Sequence, residues 1–216
     1  MQVQNLIFLF ENNLNSDRLP HNWFEAFLPP RITGQWTTFT NMKALLDNAG
    51  NEGEIYPYFT PFLPAELRQY IALYMIHGLN PLPSLEKKFQ SQAQDDISRN
   101  DFIKRNLGPG AQRRLKHFKR FFAVQDPRLA VPPTSSQPNF KIDPFLSWIK
   151  LVRMEAWRLG KIVSVDKQTI GFQGRHVNKL RITYKCEGDG FQCDALCDAG
   201  YTFNFYFRHK IPPKNT

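Results

Sequence analysis

Ser164-Val165-Asp166-Lys167-Gln168-Thr169-Ile170-Gly171-Phe172-Gln173-Gly174-Arg175 marks the point where the chain changes period. Before it, apolar residues recur three and four apart; from it onward, β-branched and aromatic residues alternate with polar ones. Ile162 to Asp166, Lys179 to Cys186, Phe191 to Leu196 and Tyr201 to Arg208 read as strands. Asp198-Ala199-Gly200 is a tight-turn sequence joining the last two, and Gly171, Gly174, Gly188 and Gly190 mark the other turns.

Upstream, the reading is helical up to Gly160. Pro64 to Gly78 predicts a helix with Pro64 and Glu66 in its first turn, Gly78 as its C-cap, and Leu67, Tyr70, Ile71, Tyr74 and Met75 on one face. Further helical stretches are expected over Leu85 to Phe89, from Arg99 to Leu107, from Ala111 to Phe122, and from Pro144 to Leu159 with Gly160 closing it. The stretch 131–138 is Pro/Ser-rich and reads as a loop. Residues 1 to about 60 hold many turn formers, among them Pro20, Pro29, Pro30 and Gly34, and suggest short helices and extended segments.

With 42% hydrophobic and 14% aromatic residues, including 19 phenylalanines, the chain can bury a core. Lys and Arg exceed Asp and Glu by 28 to 19, a net charge of +9 that favours polyanions, nucleic acid first and anionic membrane second. Charges or prolines interrupt every apolar run well short of the roughly 18 residues a membrane helix needs. The start, MQVQNLIFLFENN, lacks the basic n-region and small-residue cleavage site of a signal peptide. Cys186, Cys193 and Cys197 are odd in number and clustered, which fits a reducing compartment. They lack the close pairing typical of structural zinc sites, so no zinc is expected.

Two constellations carry chemistry. A β-branched strand ending in Asp166 is one way to hold a metal-binding carboxylate rigidly; Asp166 could equally begin a turn. Lys104, Arg105, Arg113, Arg114, Lys116, Lys119 and Arg120 form the second, with no acid among them. On a helix from Ala111, Arg113, Lys116 and Arg120 share a face that suits phosphates, or is a solvated charged face.

The segment from Ser164 to Arg175 resembles the S-[IV]-D-E-x-[ILMT]-x-x-F-[KRQ]-G-R motif of piggyBac transposases and their domesticated derivatives. Cys197-Asp198-Ala199-Gly200-Tyr201 resembles the family's C-D-x-x-x-G-Y strand-turn-strand, and Lys179 and Lys185 fit its basic positions. The helix with Glu66, and the block of Arg114, Phe118, Phe121 and Phe122 before Gln125-Asp126, follow in order and spacing. The resemblance covers about residues 55 to 210.

It implies an α+β chain in which a helical N-terminal region precedes the first strands of an incomplete ribonuclease-H-like mixed sheet. The parts would be a poorly defined segment 1–55, a helical dimerisation and DNA-binding-like region 56–160, and a partial catalytic domain 161–216. Asp166 matches the first of three catalytic Asp residues that bind Mg²⁺; the other two, and a Cys-rich module, are expected beyond Thr216. Lys167 stands where the family has Glu, and is expected to weaken ion binding by repulsion. The implied partners are double-stranded DNA, with Arg175 added to the basic residues above, and a second copy in a homodimer, with no membrane. The expected location is the nucleus. The function implied is that of a piggyBac transposable element-derived protein that binds DNA or is a relic, and is inactive alone. A domesticated interaction module, and a piece of an active transposase, are the alternatives.

Overall fold

The computed structural model describes residues 20–49, 59–79, 84–89, 106–131, 137, 139–172, 174–176, 178–181 and 189–208. Lys104, Arg105, Lys185, Cys186, most of the helical stretch from Arg99 and of the 131–138 loop, and the strand beyond Arg181 lie outside them. Five α-helices and a four-stranded antiparallel sheet appear among the described residues, the α+β class expected. The chain forms two compact units, Leu28–Leu129 and a second made of Met1–Phe27 with Ala130–Thr216. No helix among the described residues is long and apolar enough to cross a membrane.

The first unit is helical. Its helices are α2 (Pro30–Ala49), α3 (Pro64–Leu79) and α4 (Ala111–Phe121), with a 3-10 turn at Leu85–Phe89. The 20-residue α2 corrects the expectation of short pieces. Its buried side is Ile32, Thr33, Trp36, Thr37, Thr40 and Ala44, so threonines occupy positions where periodicity looks for aliphatics. Burial is tolerable because the hydroxyls bond back into the helix: Thr37 Oγ1 donates to the Thr33 carbonyl at 2.7 Å. Thr40 Oγ1 instead accepts from the Ala123 N–H at 3.2 Å. Asn41 brackets Phe62, donating to its carbonyl at 2.9 Å and accepting from its N–H at 2.7 Å.

On α3 the buried stripe is Leu67, Tyr70 and Leu73. Tyr74 and Met75, expected on the core face, are 41% and 48% exposed. Gly78 lies inside the last turn rather than capping it, since α3 runs to Leu79. Tyr70 stacks on Phe118, which stacks on Phe122, and the Tyr70 hydroxyl donates to the Ala111 carbonyl at 2.9 Å.

The second unit holds α1 (Pro20–Phe27), α5 (Asp143–Ala156) and strands β1 (Ser164–Gly171), β2 (Leu180–Arg181), β3 (Asp189–Asp198) and β4 (Tyr201–Phe207). Trp148 and Val152 are the buried residues of α5, and the Trp148 indole donates to the Phe27 carbonyl at 2.7 Å. Strand β3 is central: β1 pairs along one side, from Ser164↔Cys197 to Gly171↔Gly190, while β4 and β2 share the other. A Cβ on Gly190 would meet the Ile170 carbonyl oxygen at 2.2 Å, so close strand approach requires glycine there. Ala199 and Gly200, at φ 46° and 84°, form the two-residue primed turn between β3 and β4, as their sequence predicts.

Helix α5 stops at Ala156, with Trp157 already extended, so Gly160 is not its C-cap. Gly160 serves a different contact, described below.

Candidate functional site

Asp166 is the third residue of the eight-residue β1 and not the end of a short strand. The strand continues because Lys167 to Gly171 find partners on β3. Among the described strands β1 pairs on one side only, and Asp166 is exposed. Its Oδ1 accepts the Lys167 backbone N–H at 2.6 Å.

The register sets what Asp166 and Lys167 see. Asp166 lies opposite Ala195, and Lys167 opposite Asp194. Directly paired residues share a face and successive residues alternate, so the Lys167 ammonium stands on the face opposite the Asp166 carboxylate. The expected repulsion is reduced accordingly. Lys167 instead adds to the field at Asp194. There the Arg208 guanidinium, bonded to both carboxylate oxygens, holds the acid below the usual range.

The other acids of the sheet are also engaged. Asp189 accepts Lys179 at 3.0 Å. Asp198, buried at the end of β3, accepts the Trp157 indole N–H at 3.0 Å and the Gly160 N–H at 2.7 Å. These two bonds, the indole first, hold its carboxyl below the usual range. A Cβ at position 160 would lie 3.3 Å from both carboxylate oxygens, which is why glycine suits the site. Trp157 also stacks on Tyr201, with ring centroids 4.9 Å apart. Sequence reading placed Asp198 in the tight turn and the Cys-Asp…Gly-Tyr motif; its spacing from Trp157 carries no signal of the bond.

Cys193 is buried, and burial pushes its thiol up to about 11; Cys197 is partly buried, and both are unpaired. Among the described residues no group of three His, Cys, Asp or Glu side chains is placed to hold a metal ion.

In the helical unit, α4 buries Ala111, Leu115, His117, Phe118 and Phe121. Arg113, Lys116, Lys119 and Arg120 are exposed on its other side. Lys119 pairs with Glu86, and Arg120 reaches Asp47 at 4.0 Å. Arg114 behaves differently from its neighbours. Its guanidinium makes a two-pronged bond to Glu66, 2.7 Å on each prong, and donates to the Thr60 carbonyl at 2.6 Å. It also lies 3.8 Å from the centre of the Phe62 ring. Arg175 is exposed beyond β1.

The sequence profile of the family described as Transposase IS4 matches residues 19–215. The chain belongs to this transposase family. Its fold is similar to that in a cryo-EM structure of a piggyBac transposase synaptic complex with hairpin DNA, with TM-score 0.63 and 16% sequence identity. The match covers 88% of this chain and 38% of that one. The chain therefore carries a piggyBac-like transposase domain and spans well under half of the solved transposase. A comparison with curated proteins returns no match.

Transposases of this type generally use a divalent metal, which prefers several hard oxygen ligands. Among the described sheet carboxylates Asp166 alone is bonded only to the next residue's backbone N–H, since Asp189, Asp194 and Asp198 are engaged by side chains elsewhere. They do not by themselves fit a two-metal centre, and no catalytic step is derived from them.

Proposed function

We propose that this transposase-family chain binds duplex DNA through the outer side of α4, and that these 216 residues do not cut DNA by themselves. One observation supports the binding half: Arg113, Lys116, Lys119 and Arg120 project from one side of a helix whose other side is core. A helix anchored in this way presents its cations on a rigid ridge, and neutralising phosphates releases counterions. The structurally similar transposase is held in a complex with hairpin DNA, which makes nucleic acid the natural polyanion.

The second half rests on the commitments of the sheet carboxylates. Asp166 would be one ligand of a Mg²⁺ site in a ribonuclease-H-like domain, and the remaining ligands must come from elsewhere. The same reading carries a nuclear location and a homodimeric assembly.

The test is fluorescence anisotropy with a labelled duplex, alongside incubation of supercoiled plasmid with Mg²⁺. Lys116→Gln with Arg120→Gln should weaken duplex binding at least about tenfold at moderate salt, and the plasmid should stay intact. Unchanged affinity in that variant would refute the α4 interface. Nicking by the wild-type chain that disappears in Asp166→Ala would refute the claim of inactivity.

A further inference from the structure

One level of the sheet carries a row of side chains on the face opposite Asp166. Lys167 on β1 pairs across to Asp194 on β3, and Asp194 to Tyr206 on β4. Lys150 of α5 completes the row, its Nζ donating to the Tyr206 hydroxyl at 3.4 Å and lying 5.4 Å from the ring centre. Arg208 flanks it. The one acid, Asp194, is already neutralised by Arg208, so the row is cationic on both sides of an aromatic ring.

The ring is held and open. Asn204 Nδ2 donates to the Tyr206 hydroxyl at 3.0 Å, and together with Lys150 fixes its position. Tyr206 is nevertheless 61% exposed. Val165, Lys167, Leu196 and Asn204 share its face, and none is buried. An aromatic side chain on a sheet face, flanked by cations, matches a polyanion that carries flat apolar groups at regular spacing. Neighbouring strands lie about 4.8 Å apart, so Lys167 and Tyr206 stand roughly 10 Å from each other. That span lets one base stack on the ring while adjacent phosphates reach Lys150 on one side and Lys167 on the other.

We infer that this sheet face binds single-stranded nucleic acid, with Tyr206 as the stacking platform and Lys150 and Lys167 as phosphate contacts. A duplex keeps its base faces stacked internally and cannot use the ring, whereas an acidic peptide could use the cations but not the stack. The inference rests on the reading of the chain as a nucleic-acid binder but uses a different surface from α4, so the two can fail separately.

The test is anisotropy of the full chain with labelled oligo-dT and with a labelled duplex, and with poly-glutamate as competitor. Tyr206→Ala should weaken oligo-dT binding about tenfold, while Tyr206→Phe, which keeps the ring, should stay within about twofold and duplex affinity should not move. Lys150→Gln with Lys167→Gln should flatten the salt dependence of oligo-dT binding by about 1.4 in log–log slope, roughly 0.7 per lost contact. The α4 variant Lys116→Gln with Arg120→Gln should leave oligo-dT binding intact. Failure of the wild type to bind oligo-dT overturns the inference, as does a Tyr206→Ala protein that is folded by circular dichroism and binds oligo-dT as before. Equal losses on oligo-dT and duplex, or displacement by poly-glutamate at matched charge, also overturn it. Should Tyr206→Ala not fold, the two exposed lysine changes decide the question alone.

Discussion

Arg114 and Arg113 are neighbours in a run of cations, yet the helix turns them to different tasks. Arg113 is exposed, while Arg114 is drawn inward by the fork to Glu66, the Thr60 carbonyl and the Phe62 ring. A two-pronged guanidinium–carboxylate bond at a partly buried site is stronger than a surface ion pair. Arg114→Ala is therefore expected to cost about 2 kcal/mol in urea denaturation, and Arg113→Ala less than about 0.5 kcal/mol. A similar loss in both would mean that the fork contributes nothing special. His117, one turn from Arg113, is buried, and burial first, then Arg114 and Arg113, lower its imidazole below the ordinary value. The folded state thus favours the neutral ring. Stability tied to it is fully present above the unfolded value of about 6.5 and is lost as pH falls below it, toward the lowered folded value. Denaturation midpoints from neutral pH to about 5 should fall in the wild type, and the decline should be smaller in His117→Gln.

Seven residues without regular secondary structure link α5 to β1, and the clasp of Asp198 on Trp157 and Gly160 ties this connection to the β3–β4 hairpin. Asp198→Ala would leave the indole and Gly160 N–H groups without their acceptor. It is expected to lower the melting temperature by a few degrees and to change Trp157 emission, read as the difference from a Trp157→Phe background. An unchanged difference spectrum would show that the clasp does not hold in solution. The elements themselves were unequally legible. Strands β3 and β4 and their turn stand out in sequence, because alternation and an Asp-Ala-Gly turn agree on one hairpin. Helix α2 is hidden because half of its buried side is threonine: the Thr33 and Thr37 hydroxyls donate to carbonyls one turn back, and Thr40 accepts from the Ala123 N–H. The length of β1 is equally hidden. Asp166 to Gln168 are polar and exposed, and they are strand only because β3 supplies partners. The candidate carboxylate was legible as a motif, but its surroundings were not. Which acids remain uncommitted depends on Arg208, Trp157, Gly160 and Lys179, whose distances in sequence carry no periodicity.

Over the whole molecule, a net charge of +9 favours any polyanion, but contacts and net charge predict different behaviour in salt. The slope of log affinity against log salt counts phosphates neutralised, about 0.9 for each contact on duplex DNA. Lys119 is partly withdrawn from that count by Glu86, whose carboxyl its ammonium holds below the ordinary range. Glu86→Gln removes the competitor without touching any cation on α4. If α4 is the duplex interface, this change should raise affinity and steepen the slope by up to about 0.9. Asp166→Asn alters net charge by the same amount, on the exposed β1 in the other unit. It should leave the slope where it was. Equal effects of the two substitutions would mean that DNA reads the overall charge of the chain and no particular face. A steeper slope for Glu86→Gln alone would place the contact at α4, because of these two substitutions only Glu86→Gln releases a paired cation.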